Sequence, residues 1–225
     1  MNLSLAENLA RVQDRLLHAA ASAGHRQQEI RLVAVTKGCD PRTVRELWEL
    51  GVRDFGENRV QEALQKVDTA PPEARWHLVG HLQENKINKV VPWVHMIQSL
   101  DSLALALALD QRARRLQRRV PVLLEVKTAP ESTKHGFDPA EVPDAYAQIS
   151  ALAGLDLQGL MTIGPLSAEE SVVRQSFRNA RRLFDRLQSQ DCAPRILSMG
   201  MSGDLEIAVE EGATMVRVGR ALVAA

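Results

Sequence analysis

The 225-residue sequence has little of what marks several common functions. It has two cysteines, Cys39 and Cys192, too few for a disulfide framework or a four-ligand structural zinc site. Both suit a reducing compartment. It has no excess charge: 28 basic residues face 28 acidic ones. The global attraction that nucleic-acid and anionic-membrane binders rely on is therefore missing. The longest purely apolar run, residues 103–109, is too short to span a bilayer. The first 17 residues interleave Glu7, Arg11, Asp14 and Arg15 with apolar positions, unlike a signal peptide. From these absences we expect a cytoplasmic protein with neither a nucleic-acid nor a membrane partner. No GxGxxG or GxxxxGK(S/T) phosphate loop occurs. The one tyrosine, Tyr146, falls in a predicted helix.

What is present is alternation. Short apolar segments, often β-branched, occupy residues 31–37, 54–58, 75–80, 94–100, 121–127, 156–163, 195–200 and 215–222. Each has strand length. Segments with helical spacing lie between them. Residues 41–50 have Asp40 as N-cap, Pro41 at the first helical position and Gly51 as the stop. In 171–190, Val173, Phe177, Ala180, Phe184 and Leu187 fall on one stripe. A third helix is predicted to start at Ser202, with Asp204 and Glu206 in its first turn, and to end at Gly212. Alternating strands and helices imply parallel pairing with right-handed crossovers. Eight units predict a single-domain (β/α)8 barrel over 1–225, with an extra N-terminal helix over 3–24 covering its bottom. An open doubly wound sheet is the competing arrangement.

A barrel of this kind carries its chemistry at the C-terminal strand ends. Lys37 ends the first strand. It can present a partly desolvated amine to a carbonyl, or simply turn outward and terminate the strand. The segment from Ser198 through Gly200 to Ser202, ahead of a helix, can cradle an anion beside Gly219, or serve as an ordinary turn with Ser202 as N-cap. Arg217 lies inside a strand and needs an acceptor. That acceptor is a ligand atom or a carboxylate such as Glu125. His77 and His81 are four apart but do not share a helix, so the helical metal-pair geometry fails, and His77 reads as a core histidine. The basic run 112–119 reads as a solvated helix face.

The sequence also contains Ala34-Val-Thr-Lys37, Phe55-Gly-Glu-Asn-Arg-Val-Gln-Glu62 and Trp76-His-Leu-Val-Gly-His-Leu-Gln83 with Asn85-Lys86. Further on come Lys134-His-Gly136, Gly159-Leu-Met161, Leu197-Ser-Met-Gly-Met-Ser202 with Asp204, and Val216-Arg-Val-Gly219. In this order the motifs resemble those of the pyridoxal phosphate homeostasis proteins, which share the barrel of the alanine racemase N-terminal domain. The resemblance implies that Lys37 holds pyridoxal 5′-phosphate (PLP) as a Schiff base, with Asn58 beside it. It implies a phosphate cradle at Ser202 and Gly219 with their neighbours, and Arg217 facing the pyridine nitrogen. An arginine there, unlike an aspartate, leaves the ring a weak electron sink, which suits retention better than turnover.

The implied function is PLP storage or delivery without efficient turnover, by a monomer, with free amino acids or apo PLP-dependent enzymes as acceptors. A PLP-dependent amino-acid racemase is the alternative. It needs a second acid–base group, for which His81 and Lys134 are the accessory candidates, because Tyr146 is remote. The chain departs from the family pattern at Lys127, Pro130 and Arg220, and lacks the usual Phe-Gly-x-Arg close. Arg220 can compensate by pairing its charge with the phosphate.

Overall fold

A computed structural model describes residues 3–24, 30–128, 135–189 and 192–223. The eight expected strands form, as β1 (Arg31–Val35), β2 (Asp54–Glu57), β3 (Arg75–Leu78), β4 (Met96–Leu100), β5 (Val120–Glu125), β6 (Leu155–Met161), β7 (Ile196–Ser198) and β8 (Met215–Val218). They close in sequence order, each parallel to the next, with β8 pairing β1 from Arg31↔Met215 to Ala34↔Val218. The fold is a (β/α)8 barrel, and the open sheet is excluded.

Helices α1 (Leu5–Ser22), α2 (Pro41–Glu49), α3 (Val60–Val67), α4 (Ile87–Val90), α5 (Leu103–Arg115), α6 (Val142–Ser150), α7 (Glu170–Arg186), α8 (Leu205–Glu210) and α9 (Arg220–Val223) surround it. Local chemistry sets their ends. The Asp40 carboxylate accepts from Arg42 N–H at 2.7 Å and starts α2. Ser4 and Glu7 form a capping box at α1. The α7 stripe of Val173, Phe177, Ala180 and Phe184 is buried.

Three features depart notably from expectation. The last strand stops at Val218, because Gly219 breaks it and α9 begins at Arg220. Helix α8 starts three residues after Ser202, because Asp204 Oδ1 accepts from Met201 N–H at 2.5 Å and closes a turn first. The N-terminal helix does not lie across the bottom. Helix α1 packs on α8, α9 and α2, where Arg15 pairs with Glu206 at 2.5 Å and bonds Ser202 O.

The core divides in two. A large cluster fills the space between strands and helices, while Val33, Met96, Leu123, Met161 and Met215 fill the barrel interior. The interior also buries His77, Gln98, Ser198 and Arg217. Gly159 marks a register shift between β5 and β6. Its φ is +152°, and an added Cβ would stand 1.9 Å from Ile196 O. Gly159→Ala should destabilise the protein by about 3 kcal/mol, combining backbone strain with overpacking, as read by urea unfolding.

Candidate functional site

A cavity of about 670 Å³ opens at the C-terminal ends of the strands. Lys37, Asn58, Ser202, Arg217, Gly219 and Arg220 all line it, brought together from four strand ends. Its outer wall is the segment from Ile163 to Ala168.

Lys37 sits in the turn after β1 and is exposed. The protein alone therefore does not desolvate it as expected. Its turn is held from beneath by a buried network. Lys66, from α3, donates to Thr36 O at 2.5 Å and to Glu57 Oε1 at 2.6 Å, and Thr36 Oγ1 donates to the same oxygen at 2.7 Å. Gly38 N–H reaches Glu62 Oε2 at 3.1 Å. The role of Lys66 went unread in the sequence, although a lysine on the stripe of Val60 and Ala63 was the available signal. Asn58 is half-buried, and its backbone packs so closely on Gly80 that an added Cβ there would meet Asn58 O at 2.4 Å.

Arg217 is 4% exposed and forms no ion pair with Glu125 or any other carboxylate among the described residues. It donates to Ser198 Oγ at 2.6 Å and to Thr162 O at 2.8 Å. The first bond begins a relay across the barrel interior. Ser198 Oγ donates to Gln98 Oε1 at 2.7 Å, and Gln98 Nε2 reaches His77 Nδ1 at 3.0 Å. His77 Nδ1 must then accept, so its proton lies on Nε2, which donates to Asp54 Oδ1 at 2.9 Å. Arg75 closes the relay on Asp54 at 3.0 and 2.6 Å. Burial holds His77 below the usual histidine range, against the pull of Asp54. Burial pushes Asp54 up, but bonds from His77 and Arg75 outweigh it and hold it low. Burial likewise pushes Arg217 down to about 10, against the charges of Glu125 and Asp204.

Ser198 and Gly200, expected in the cradle, stand behind the cavity instead. Ser198 is committed to the relay, and Gly200, at φ +93°, lies against Ala208 of α8. The anion-binding features that do face the cavity are small residues and a helix start. An added Cβ at Gly203 would meet nothing within 4 Å. Ser202 Oγ accepts from Ala221 N–H at 3.1 Å, fixing the hydroxyl against the first turn of α9, beside the exposed Arg220. The residues present fit PLP. A lysine amine, small residues with a guanidinium at one end, and a buried guanidinium without a counter-carboxylate among the described residues form the donor set that an aldehyde, a phosphate and a ring nitrogen require.

His81 does not line this cavity; it pairs with Asp101 across the mouth. Lys134 and Pro130 lie outside the described residues. Lys127 stands 3.4 Å from Asp138. Tyr146 is fully buried in α6 and supplies nothing to the cavity.

Residues 4–225 match the family model of the alanine racemase N-terminal domain. A pyridoxal phosphate homeostasis protein of Aquifex aeolicus is 37% identical, over 98% of this chain and 97% of its own. One of Pseudomonas aeruginosa is also 37% identical, over 99% and 96%. The structure of PipY from Synechococcus elongatus with PLP bound is similar at a TM-score of 0.84 and 38% identity, covering 97% of this chain and 99% of that one. An alanine racemase of Clostridium difficile, 15% identical, shares the fold at a TM-score of 0.81, with this chain spanning 56% of it.

Glu125, buried at the end of β5, is pushed up to about 7 by burial and by the charge of Asp101, against Arg217 and His81. Its folded state holds a proton that the unfolded chain releases near 4.5. Its contribution is therefore present below pH 4.5 and lost as pH rises through 7. Glu125→Gln should gain stability relative to wild type across that window, by at most about 3 kcal/mol, in parallel chemical denaturations at several pH values.

Proposed function

The chain belongs to the pyridoxal phosphate homeostasis proteins, within the alanine racemase N-terminal domain family, and on that premise we propose that it binds PLP at Lys37 for storage or delivery inside the cell. The observation that carries this reading is Arg217. It is a buried guanidinium with no carboxylate partner among the described residues, on the wall of the cavity that Lys37 also lines. When bound, PLP supplies an aldehyde that condenses reversibly with primary amines.

The chain's own groups divide the work. Lys37 presents the amine, held in place by the Lys66–Glu57–Thr36 network. Arg217 donates toward a ring nitrogen and, being a cation, opposes that nitrogen's protonation. Ser202, Gly219 and Arg220 take the phosphate end, and Asn58 flanks the ring. Such a site holds and releases its ligand more readily than it drives carbanion chemistry. The residues act as one barrel domain over 1–225, working as a monomer, with free amino acids or apo PLP-dependent enzymes as acceptors. The unpaired Cys39 and Cys192 accord with the cytoplasm. No helix among the described residues is long and apolar enough to cross a membrane. No observation favours the racemase alternative, since the only tyrosine is buried in α6.

Added PLP should produce a visible absorption band. Borohydride reduction and peptide mapping should then place a pyridoxyl group on Lys37, and Lys37→Ala should lose both signals. A wild-type protein that shows neither refutes the reading. Arg220→Ala should weaken PLP retention about tenfold, in line with the loss of one charge-assisted contact. Unchanged retention on dialysis would remove Arg220 from the phosphate site.

A further inference from the structure

A second cluster stands on the opposite half of the barrel mouth. His81 follows β3, Asp101 follows β4, and His135 lies on the segment returning after β5. None of them lines the cavity beside Lys37. Both imidazoles turn Nδ1 toward one carboxylate oxygen: Asp101 Oδ2 is 2.7 Å from His81 Nδ1 and 3.6 Å from His135 Nδ1. The two rings stack with centroids 3.8 Å apart and planes 13° from parallel. A ligand atom from each residue lies within 4.8 Å of the others.

The placement is specified by the backbone. Phe137 N–H donates to Glu125 O at 2.8 Å and Lys127 N–H to Phe137 O at 3.1 Å, which presses the returning segment onto the end of β5. Gly136 makes this possible: its φ is +109°, and an added Cβ would stand 3.0 Å from Glu125 O. His135 is thereby delivered to the mouth. On the other side, Ser99 Oγ donates to Gly80 O at 2.6 Å and ties the residue before His81 to β4. The Asp101 side chain is only 8% exposed, while His81 and His135 are 38% and 50% exposed. A carboxylate thus forms the floor, with two imidazoles at an open rim.

One imidazole N–H is enough to satisfy Asp101 Oδ2. A second Nδ1 brought to the same oxygen places two nitrogens and a carboxylate close enough to share one cation. We propose that His81, Asp101 and His135 form a binding site for a divalent transition-metal ion of the zinc class. Two nitrogens and one oxygen without thiolate suit Zn²⁺, Co²⁺, Ni²⁺ or Cu²⁺ rather than Mg²⁺ or Ca²⁺. Three protein ligands leave a fourth position for water or a small anion. Ligand bonds of about 2.0 Å in a tetrahedral site put donor atoms roughly 3.3 Å apart. The two Nδ1–Oδ2 separations bracket that value, and binding swings the stacked rings out of parallel so that both Nδ1 lone pairs meet at one ion. Binding needs both rings to accept at Nδ1, so His81 carries its proton on Nε2 in the bound state.

Full-length protein stripped with a chelator should be titrated with Zn²⁺ by calorimetry and with Co²⁺ by visible absorption. One equivalent should bind. His81→Ala, Asp101→Asn and His135→Ala should each weaken binding by about tenfold or more, with unchanged circular dichroism. In the wild type, Zn²⁺ should protect His81 and His135 from diethyl pyrocarbonate, as read by peptide mapping; this arm does not depend on how the variants fold. The proposal is overturned by an absence of saturable binding, by binding that the substitutions leave unchanged, or by equal modification of both histidines with and without the ion.

Discussion

A guanidinium inside a barrel of apolar strands must find acceptors, and the need to satisfy Arg217 organises the interior. Leaving it unpaired would cost several kcal/mol of desolvation, on the order of that of any buried unpaired charge. Ser198, Gln98, His77 and Asp54 answer that need in a continuous chain ending on Arg75 at the other end of the barrel. Each member fixes the direction of the next bond, so the chain sets the His77 tautomer and the orientation of the guanidinium together. Thr162 O holds a second edge. Arg217 also lines the cavity. Arg217 is therefore oriented before any ligand arrives, which lowers the ordering cost of binding.

The mouth of the barrel is divided. The ends of β1, β2, β7 and β8 supply Lys37, Asn58, Ser202, Arg217, Gly219 and Arg220. The ends of β3, β4 and β5 supply the imidazoles and carboxylates of His81, Asp101, Glu125 and His135. The first set carries three cations and Gly219, which matches a phosphorylated ligand. The second contains two carboxylates, and the charge of Asp101 raises the proton affinity of the buried Glu125. Beneath the first set, the buried Lys66–Glu57 pair at 2.6 Å gives rigidity where an exposed amine needs it. Such a pair adds little net stability, but removing one partner leaves a buried charge at a cost of about 3–5 kcal/mol. The turn bearing Lys37 thus stands on a network that resists change.

Much of this was legible in the sequence. Eight apolar segments alternating with capped helices dictate parallel pairing, and hydrogen-bond geometry leaves few ways to close them. Asp40, Pro41 and Gly51 act within a few residues, so their meaning does not depend on the rest of the chain. Lys37 and Arg217 also stood out, because charged groups at the end of or inside an apolar strand require a reason. Tertiary structure decided which way the remaining side chains face. Parallel barrel strands are apolar on both faces, so alternation does not reveal which residues point into the interior. That is why Ser198 turned out to serve Arg217 from within, and why Gly200 packs on α8. It also decided the meetings between distant residues: Lys66 with Thr36, and His81 with Asp101 and His135. Such contacts depend on strand register and crossover geometry, which only barrel closure fixes, because no local rule acts across tens of residues of chain.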